Sequence, residues 1–251
     1  MRIAVIADLH SNLEATTAVK DDINTRKVDL TVCLGDVVGY NANPNEVVDF
    51  VRKYNIPTIQ GNHDAVSCDL EDPWFFNEDA KRAAEWQAEQ LHNDHKIWLA
   101  KLPEERRIND VYLGVHGAPG NRDEYISDWK LASLYFGHLG NGTLACFFGH
   151  THKPSYFAQN GNIHSLIGPQ LHNSNGTPVV VTLEKGNHYF INPGAVGQPR
   201  DGDPRAAYGI LDTDRPTFEF RRVPYDLAKT QRKITEAGLP PELARRLAIG
   251  K

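Results

Sequence analysis

The chain has 251 residues, 40% hydrophobic and 24% charged, with a net charge of -5. That is the profile of a soluble globular protein long enough for one large domain, and it gives no general basic face for nucleic acid. No apolar run approaches a membrane span. Three scattered cysteines (Cys33, Cys68, Cys146) without C-x-x-C spacing exclude a disulfide framework and a structural zinc site.

The first third alternates regularly. "RIAVIAD" reads as a strand whose apolar run is too short for a signal peptide, so the cytoplasm is the expected address. "SNLEATTAVKDDINTRK" reads as a helix with Ser11 or Asn12 as its cap, "VDLTVCLGD" as a strand, "NPNEVVDFVRKYN" as a helix with proline in its first turn, and "IPTIQGNHD" as a third strand. Alternation of this kind predicts crossovers and a largely parallel, buried sheet. From about Trp74 to Leu102 the apolar spacing turns helical. "VYLGVHGAPG" and "TLACFFGHTHKP" return to strands, with a helix-rich piece from Glu124 to Leu139 between them. After Gly176 a meander of strands is expected, turning at Lys185-Gly186-Asn187 and at Asp214-Arg215-Pro216. Two amphipathic helices broken at Pro240-Pro241 close the chain. No repeat or linker interrupts it, so residues 1–251 read as a single domain.

The strand ends carry the chemistry. "RIAVIA" ends in Asp8-Leu9-His10, "LTVCL" in Gly35-Asp36, and "PTIQ" in Gly61-Asn62-His63-Asp64. "YLGV" ends in His116-Gly117, and "ACFF" in Gly149-His150-Thr151-His152. Ligands of open α/β sheets sit beyond the strands' carboxyl ends, and five strands here deliver polar side chains to that one edge. On an extended backbone His150 and His152 would share a face. Asp8, His10, Asp36, Asn62, His116, His150 and His152 form a mixed O/N set suited to Mn, Fe, Zn, Co or Ni, without thiolates. Seven ligands exceed one tetrahedral ion and suit two metals about 3.5–4 Å apart with a bridging carboxylate. The glycines before Asp36, Asn62 and His150 are expected to let the backbone turn so that these side chains converge.

D-x-H, GD, GNHD, H-G and G-H-x-H, in that order from Asp8 to His152, resemble the signature of the calcineurin-like metallophosphoesterases. "GDVVGYNANPNEVV" and "NPGAVGQPRDGDPRAAYGIL" further resemble a bacterial and archaeal branch of small phosphodiesterase-like members. The resemblance implies an α/β, four-layer αββα sandwich of two mixed sheets flanked by helices. By analogy Asp8, His10, Asp36 and His152 bind one divalent transition metal, with manganese favoured. Asp36, Asn62, His116 and His150 bind the second, with Asp36 bridging. A hydroxide shared by the metals would attack phosphorus in line, His63 would protonate the leaving alkoxide, and Asp64 would orient His63. Asn12 and Arg200, the latter in "GQPRD", are the candidate substrate contacts.

The Ser/Thr protein phosphatases of this superfamily carry an acid-arginine pair within GDxxDRG. Here that place reads Gly39-Tyr40-Asn41, which argues against a phosphoprotein phosphatase. The expected activity is hydrolysis of a small nucleotide-like or organic phosphoester, most readily a diester. The alternatives are dinucleoside polyphosphate hydrolysis, a protein-phosphatase-like monoesterase, and a non-catalytic scaffold such as the retromer subunit. Trp74, Trp86, Trp98 and Trp129 read as core at helical spacing, and Lys229, Arg232, Lys233, Arg245 and Arg246 as a solvated face. His164 and His172 have no metal-like spacing. A small phosphoester is the one partner expected, with no membrane, and the oligomeric state is left open.

Overall fold

Strand β1 (Arg2–Ile6) shows how one short run specifies two layers. Ile3 and Val5 face one hydrophobic cluster while Ala4 and Ile6 face another, the two-residue alternation of a strand buried on both sides. The computed structural model describes residues 1–74, 76–140, 142–160, 163–167 and 178–251, with only the backbone of residues 160 and 163–167 described. His164 and His172 therefore lie outside the described side chains.

Helix α1 (Leu13–Asn24) follows β1, then β2 (Leu30–Cys33), α2 (Pro44–Lys53), α3 (Asn62–Ser67), α4 (Glu78–Gln90) and α5 (Asn93–Ala100). Next come β3 (Glu105–Asn109), β4 (Tyr112–Val115), α6 (Trp129–Tyr135), β5 (Ala145–Phe147), β6 (Ser155–Asn160) and β7 (Ile163–Ile167). The chain finishes with β8 (Val179–Thr182), β9 (His188–Asn192), β10 (Ala206–Asp212), β11 (Thr217–Val223), α7 (Leu227–Glu236) and α8 (Pro241–Ile249).

One sheet runs β2-β1-β10-β11-β8 and the other β3-β4-β5-β9-β6-β7. Ile3, Val5, Phe147, Ile191 and Phe218 belong to the cluster between them. Helices α1 and α2 cover the outer face of the first sheet through Val19, Ile23, Val47 and Val51. Helix α6 covers the second through Ala132, against Phe148 and Phe190. The result is the expected four-layer αββα sandwich. Its sheets are mixed rather than largely parallel: β1–β2, β4–β5 and β5–β9 pair in parallel, and the other pairs run antiparallel. The returning strands β10 and β11 insert beside β1, which an alternating β/α reading of the first third cannot foresee.

The third strand expected at "IPTIQGNHD" shrinks to one parallel bridge between Cys33 and Thr58. Cys33 N–H donates to Pro57 O and Ile59 N–H to Cys33 O, but the next donor on that side, Gly61, turns to Asp64 Oδ2 at 2.9 Å. Pro57 has no N–H to offer the ladder. Asn62, His63 and Asp64 then open α3, with Gly61 at the N-cap. Helix α1 is capped by Asn12, whose side chain accepts from Ala15 N–H at 3.1 Å. Both expected turns, at 185–186 and 213–216, are present, but only the second closes a hairpin, between β10 and β11; β8 and β9 belong to different sheets, so the expected meander is divided between the two.

Candidate metal centre

The loops after β1, β2 and β5 do the converging. Asp8 (φ 55), His10 (φ 44), Asp36 (φ 52), His150 (φ 63) and His152 (φ 60) all adopt left-handed backbone. That conformation costs roughly 1–2 kcal/mol for an L-residue, so five in one place mark loops held by their surroundings. The holding bonds link one loop to the next: Asp8 N–H to Gly35 O at 3.1 Å, and His10 N–H to Asp36 O at 2.9 Å. Strand β5 ends at Phe147, so the shared strand face expected of His150 and His152 does not exist. The two rings join different clusters. Gly61 serves space rather than turning: its φ is -90°, but a Cβ there would meet Asp36 Oδ1 at 2.1 Å.

Asp8, His10, Asp36 and His152 form one buried group of converging ligand atoms, and Asp36, His116 and His150 form another. Asp36 is common to both, its Oδ2 3.4 Å from His10 Nε2 and 3.3 Å from His116 Nε2. Asn62 joins the second group through Oδ1, 3.1 Å from His116 Nε2.

The imidazoles are set by their outer nitrogens. Nδ1–H of His10 donates to Val38 O at 3.0 Å, that of His116 to Leu34 O at 2.8 Å, and that of His152 to Gln198 O at 2.6 Å. A carbonyl can only accept, so Nδ1 carries a proton in each ring and Nε2 faces inward, as a lone pair in the neutral rings of His10 and His152. In His150 the ring is reversed: Nε2 donates to Asp123 O at 3.2 Å, which leaves the lone pair on Nδ1.

The carboxylates fit a cationic partner. Oδ2 of Asp8 and Oδ2 of Asp36 are buried acceptors with no hydrogen-bond partner. Burial pushes Asp8 up to about 7. It opposes ionisation of Asp36 as well, yet His116, His63 and His10 outweigh it and hold that carboxyl well below the usual range. Burial lowers His116 too, but Asp36 and Asp8 prevail and hold it at about 9. His10 and His152 are driven well down, chiefly by burial. The carboxylate oxygens and inward ring nitrogens are the mixed O/N donor set that borderline divalent ions take. These residues suit a pair of such ions. A third acid-histidine group, His92, Asp94 and His95, is already bonded within the fold: His95 reaches Asn45 at 2.9 Å and Asp49 at 3.0 Å.

His63 is buried beside this centre, its ring stacked on Phe76 with centroids 4.3 Å apart and edge-on to His10 at 4.9 Å. Burial lowers its pKa to about 4. Asp64, expected to orient it, does something else. Its Oδ1 accepts from Val38 N–H at 3.1 Å and its Oδ2 from Gly61 N–H at 2.9 Å, so it ties the two loops flanking Asp36 together. The ring of His63 is positioned instead by Tyr40, whose hydroxyl lies 3.0 Å from Nε2. Arg200 Nη2 donates to the same hydroxyl at 2.9 Å. An arginine from after β9 thus meets Tyr40 of the Gly39-Tyr40-Asn41 stretch that follows Asp36. Asn12 is fully buried in capping α1 and donating to Gly197 O at 2.9 Å, which removes it from the candidate substrate contacts.

Asn62, His63, His150, Tyr40 and Arg200 line one cavity of about 650 Å³. Phe76, Asn77 and Ala80 roof it from the first helical excursion, and Glu124, Tyr125, Ser127 and Leu131 from the second. Only the leading ends of those segments reach the cavity. Ala83 packs with Leu243 and Leu247 of α8, and Leu99 with the α1–α2 layer. Of the tryptophans, Trp86, Trp98 and Trp129 pack partly buried against apolar clusters, whereas Trp74 is 75% exposed. Arg246, read in the sequence as part of a solvated face, lines the cavity as well. Tyr40 had a signal, its place four residues after Asp36. Arg246 had none, because helical spacing does not say where α8 docks.

The Calcineurin-like phosphoesterase superfamily domain matches residues 1–216. An uncharacterized protein of Methanocaldococcus jannaschii, MJ0912, is 36% identical over 255 residues, covering 99% of this chain and 98% of its own. The metallophosphoesterase from Sphaerobacter thermophilus has a similar crystal structure, at 39% identity and TM-score 0.85 over 100% of both chains. The hypothetical protein PH1004 from Pyrococcus horikoshii shares the fold at 19% identity and TM-score 0.79, over 100% of this chain and 98% of that one. The chain belongs to the calcineurin-like phosphoesterase superfamily.

Proposed function

We propose that this protein hydrolyses a small nucleotide-like or organic phosphoester, preferentially a diester, in the cytoplasm. Two divalent transition-metal ions, manganese first among Mn, Fe, Zn, Co and Ni, are held by Asp8, His10, Asp36, Asn62, His116, His150 and His152. The observation that carries the reading is the sharing of buried Asp36 between two ligand groups, the second of which reaches through His150 and Asn62 a cavity also lined by His63 and Arg200. Such ions, when bound, supply Lewis-acid charge to the phosphoryl oxygens and acidify water.

The chain's own groups do the rest. Arg200 points its guanidinium at the cavity and offers donors to a phosphoryl oxygen. His63 protonates the leaving oxygen. Burial favours the neutral ring in the free site, and a phosphate anion beside it opposes that, so His63 takes up its proton together with the substrate. Tyr40 fixes the ring and couples it to Arg200. No helix among the described residues is long and apolar enough to cross a membrane.

The test is turnover by the manganese-loaded protein of bis-p-nitrophenyl phosphate, p-nitrophenyl phosphate, diadenosine tetraphosphate and a phosphopeptide. Fastest turnover of the diester is expected. Faster tetraphosphate cleavage would favour a dinucleoside polyphosphate hydrolase, and faster monoester cleavage a phosphatase. Metal bound without turnover of any would leave a scaffold.

A further inference from the structure

Two arginines meet over the candidate metal centre without an acid between them. Arg200 and Arg246 line the same cavity, their guanidinium carbons 5.6 Å and 5.9 Å from the centroid of the Tyr40 ring. Arginines nearby are paired: Arg205 with Asp203 at 2.6 Å, Arg245 with Glu242 at 2.6 Å, and Arg222 with Asp201. Among the described residues no Asp or Glu carboxylate lies within 4.0 Å of Arg200 or Arg246. Nε of Arg200 is buried with no partner. Among the described residues Arg246 commits one donor, Nε, to O of the last residue, Lys251, at 3.0 Å. Like charges gathered at a partly enclosed wall repel each other unless an anion joins them. A planar fork of donors suits the oxygens of a phosphate.

One arginine suffices for the scissile phosphoryl group, and the second stands on a different element. Arg246 belongs to α8, beyond residues 1–216 that match the superfamily domain. Packing does not account for it, since Leu243 and Leu247 of the same helix fill the apolar contact with Ala80 and Ala83. We propose that Arg246, with Arg200, binds a second phosphate group of the substrate that is not attacked, so that the natural phosphoester carries a further phosphate beside the scissile one. This rests on the phosphoesterase reading for which phosphate is hydrolysed, but its binding test does not require turnover.

The experiment titrates the full-length, manganese-loaded protein calorimetrically with AMP, with adenosine 3′,5′-bisphosphate, and with the hydrolysis-resistant α,β-methylene analogue of ADP. At least one of the two ligands carrying a second phosphate should bind roughly tenfold tighter than AMP, the gain expected of a charge-assisted contact. Arg246→Ala should erase that advantage and Arg246→Lys keep part of it, while Arg245→Ala on the exposed face of α8 keeps it whole. Equal affinity of wild type for all three ligands overturns the proposal. Equal weakening of all three by Arg246→Ala also overturns it, since Arg246 would then serve the first phosphate. If Arg246→Ala does not fold, the wild-type comparison and Arg246→Lys still decide. Absent turnover with the affinity difference intact would count against the phosphoesterase reading alone.

Discussion

Nε2 of His10 and Nε2 of His152 face each other at 3.0 Å, and neither carries the proton. Each ring's Nδ1–H is committed to a backbone carbonyl, Val38 O and Gln198 O respectively. Two lone pairs at that distance repel, and a cation turns the repulsion into two bonds. Metal should therefore stabilise the fold as well as serve the reaction. At free metal a hundredfold above its Kd the gain is about 2.7 kcal/mol, or about 5–10 °C in Tm for a chain of this length. Wild type should hold close to two equivalents per chain, chelation should lower Tm by about that amount for each ion removed, and Asp36→Asn should disturb both equivalents together. Elemental analysis and melting curves check this. Unchanged Tm and no retained metal at any loading would sink the dinuclear reading.

Asp64 is tied to the loops and Asn12 to a helix cap, so their variants should behave as structural lesions. In Asp64→Asn the single amide oxygen can serve Val38 N–H or Gly61 N–H, not both. A buried N–H left unpaired costs about 1–3 kcal/mol. The urea midpoint should fall accordingly. Any loss of kcat should be equal for good and poor leaving groups, because Asp64 does not touch the ring of His63.

How the site was legible follows from how it is built. Ligands that end apolar strands, such as Asp8 and His116, announce themselves because a buried run is easily read and its terminus is one residue wide. The register of His150 and His152 was not legible, since the i, i+2 rule presumes extended backbone and both residues are left-handed. Asn62 and His63 were placed at a strand end, but Pro57 and the Gly61–Asp64 cap had already turned the chain into a helix. Antiparallel insertion of β10 beside β1 depends on contacts some 200 residues apart in sequence, about which local pattern is silent. Arg200 was visible as a charge in a loop. Only the fold shows that it meets Tyr40.

Asp22 offers a pH test remote from the metal. Its carboxylate accepts from Arg26 at 2.8 Å, from Tyr208 OH at 2.6 Å and from Arg221 Nε at 3.0 Å, pinning α1 to β10 and β11. Burial works to raise its pKa, and these three donors outweigh it and lower it. The folded pKa then lies below the unfolded value near ~3.9. Its stabilisation is complete above that value and is lost as pH falls through the folded pKa. Asp22→Asn should cost about 1–2 kcal/mol at pH 7, discounted for partial solvent screening. The gap to wild type should close as both are titrated toward pH 2. A gap independent of pH would mean that packing, not charge, is what the substitution removes.

His63 is where chemistry and structure separate most cleanly. Its Nε2 is 3.0 Å from the Tyr40 hydroxyl and its ring is stacked on Phe76, yet it lies outside both groups of converging ligand atoms. His63→Gln should therefore leave metal content near wild type. Proton delivery to a leaving oxygen is commonly worth about 10²–10⁴-fold, so kcat for an alkyl ester should fall within that range. The p-nitrophenyl ester, whose leaving group departs without a proton, should lose much less. Tyr40→Phe should show the same leaving-group dependence at smaller amplitude, because the ring keeps Phe76 but loses its hydroxyl partner. An equal loss with both leaving groups would assign His63 to charge stabilisation at the phosphoryl group, and a loss of metal would make it a support for the ligands.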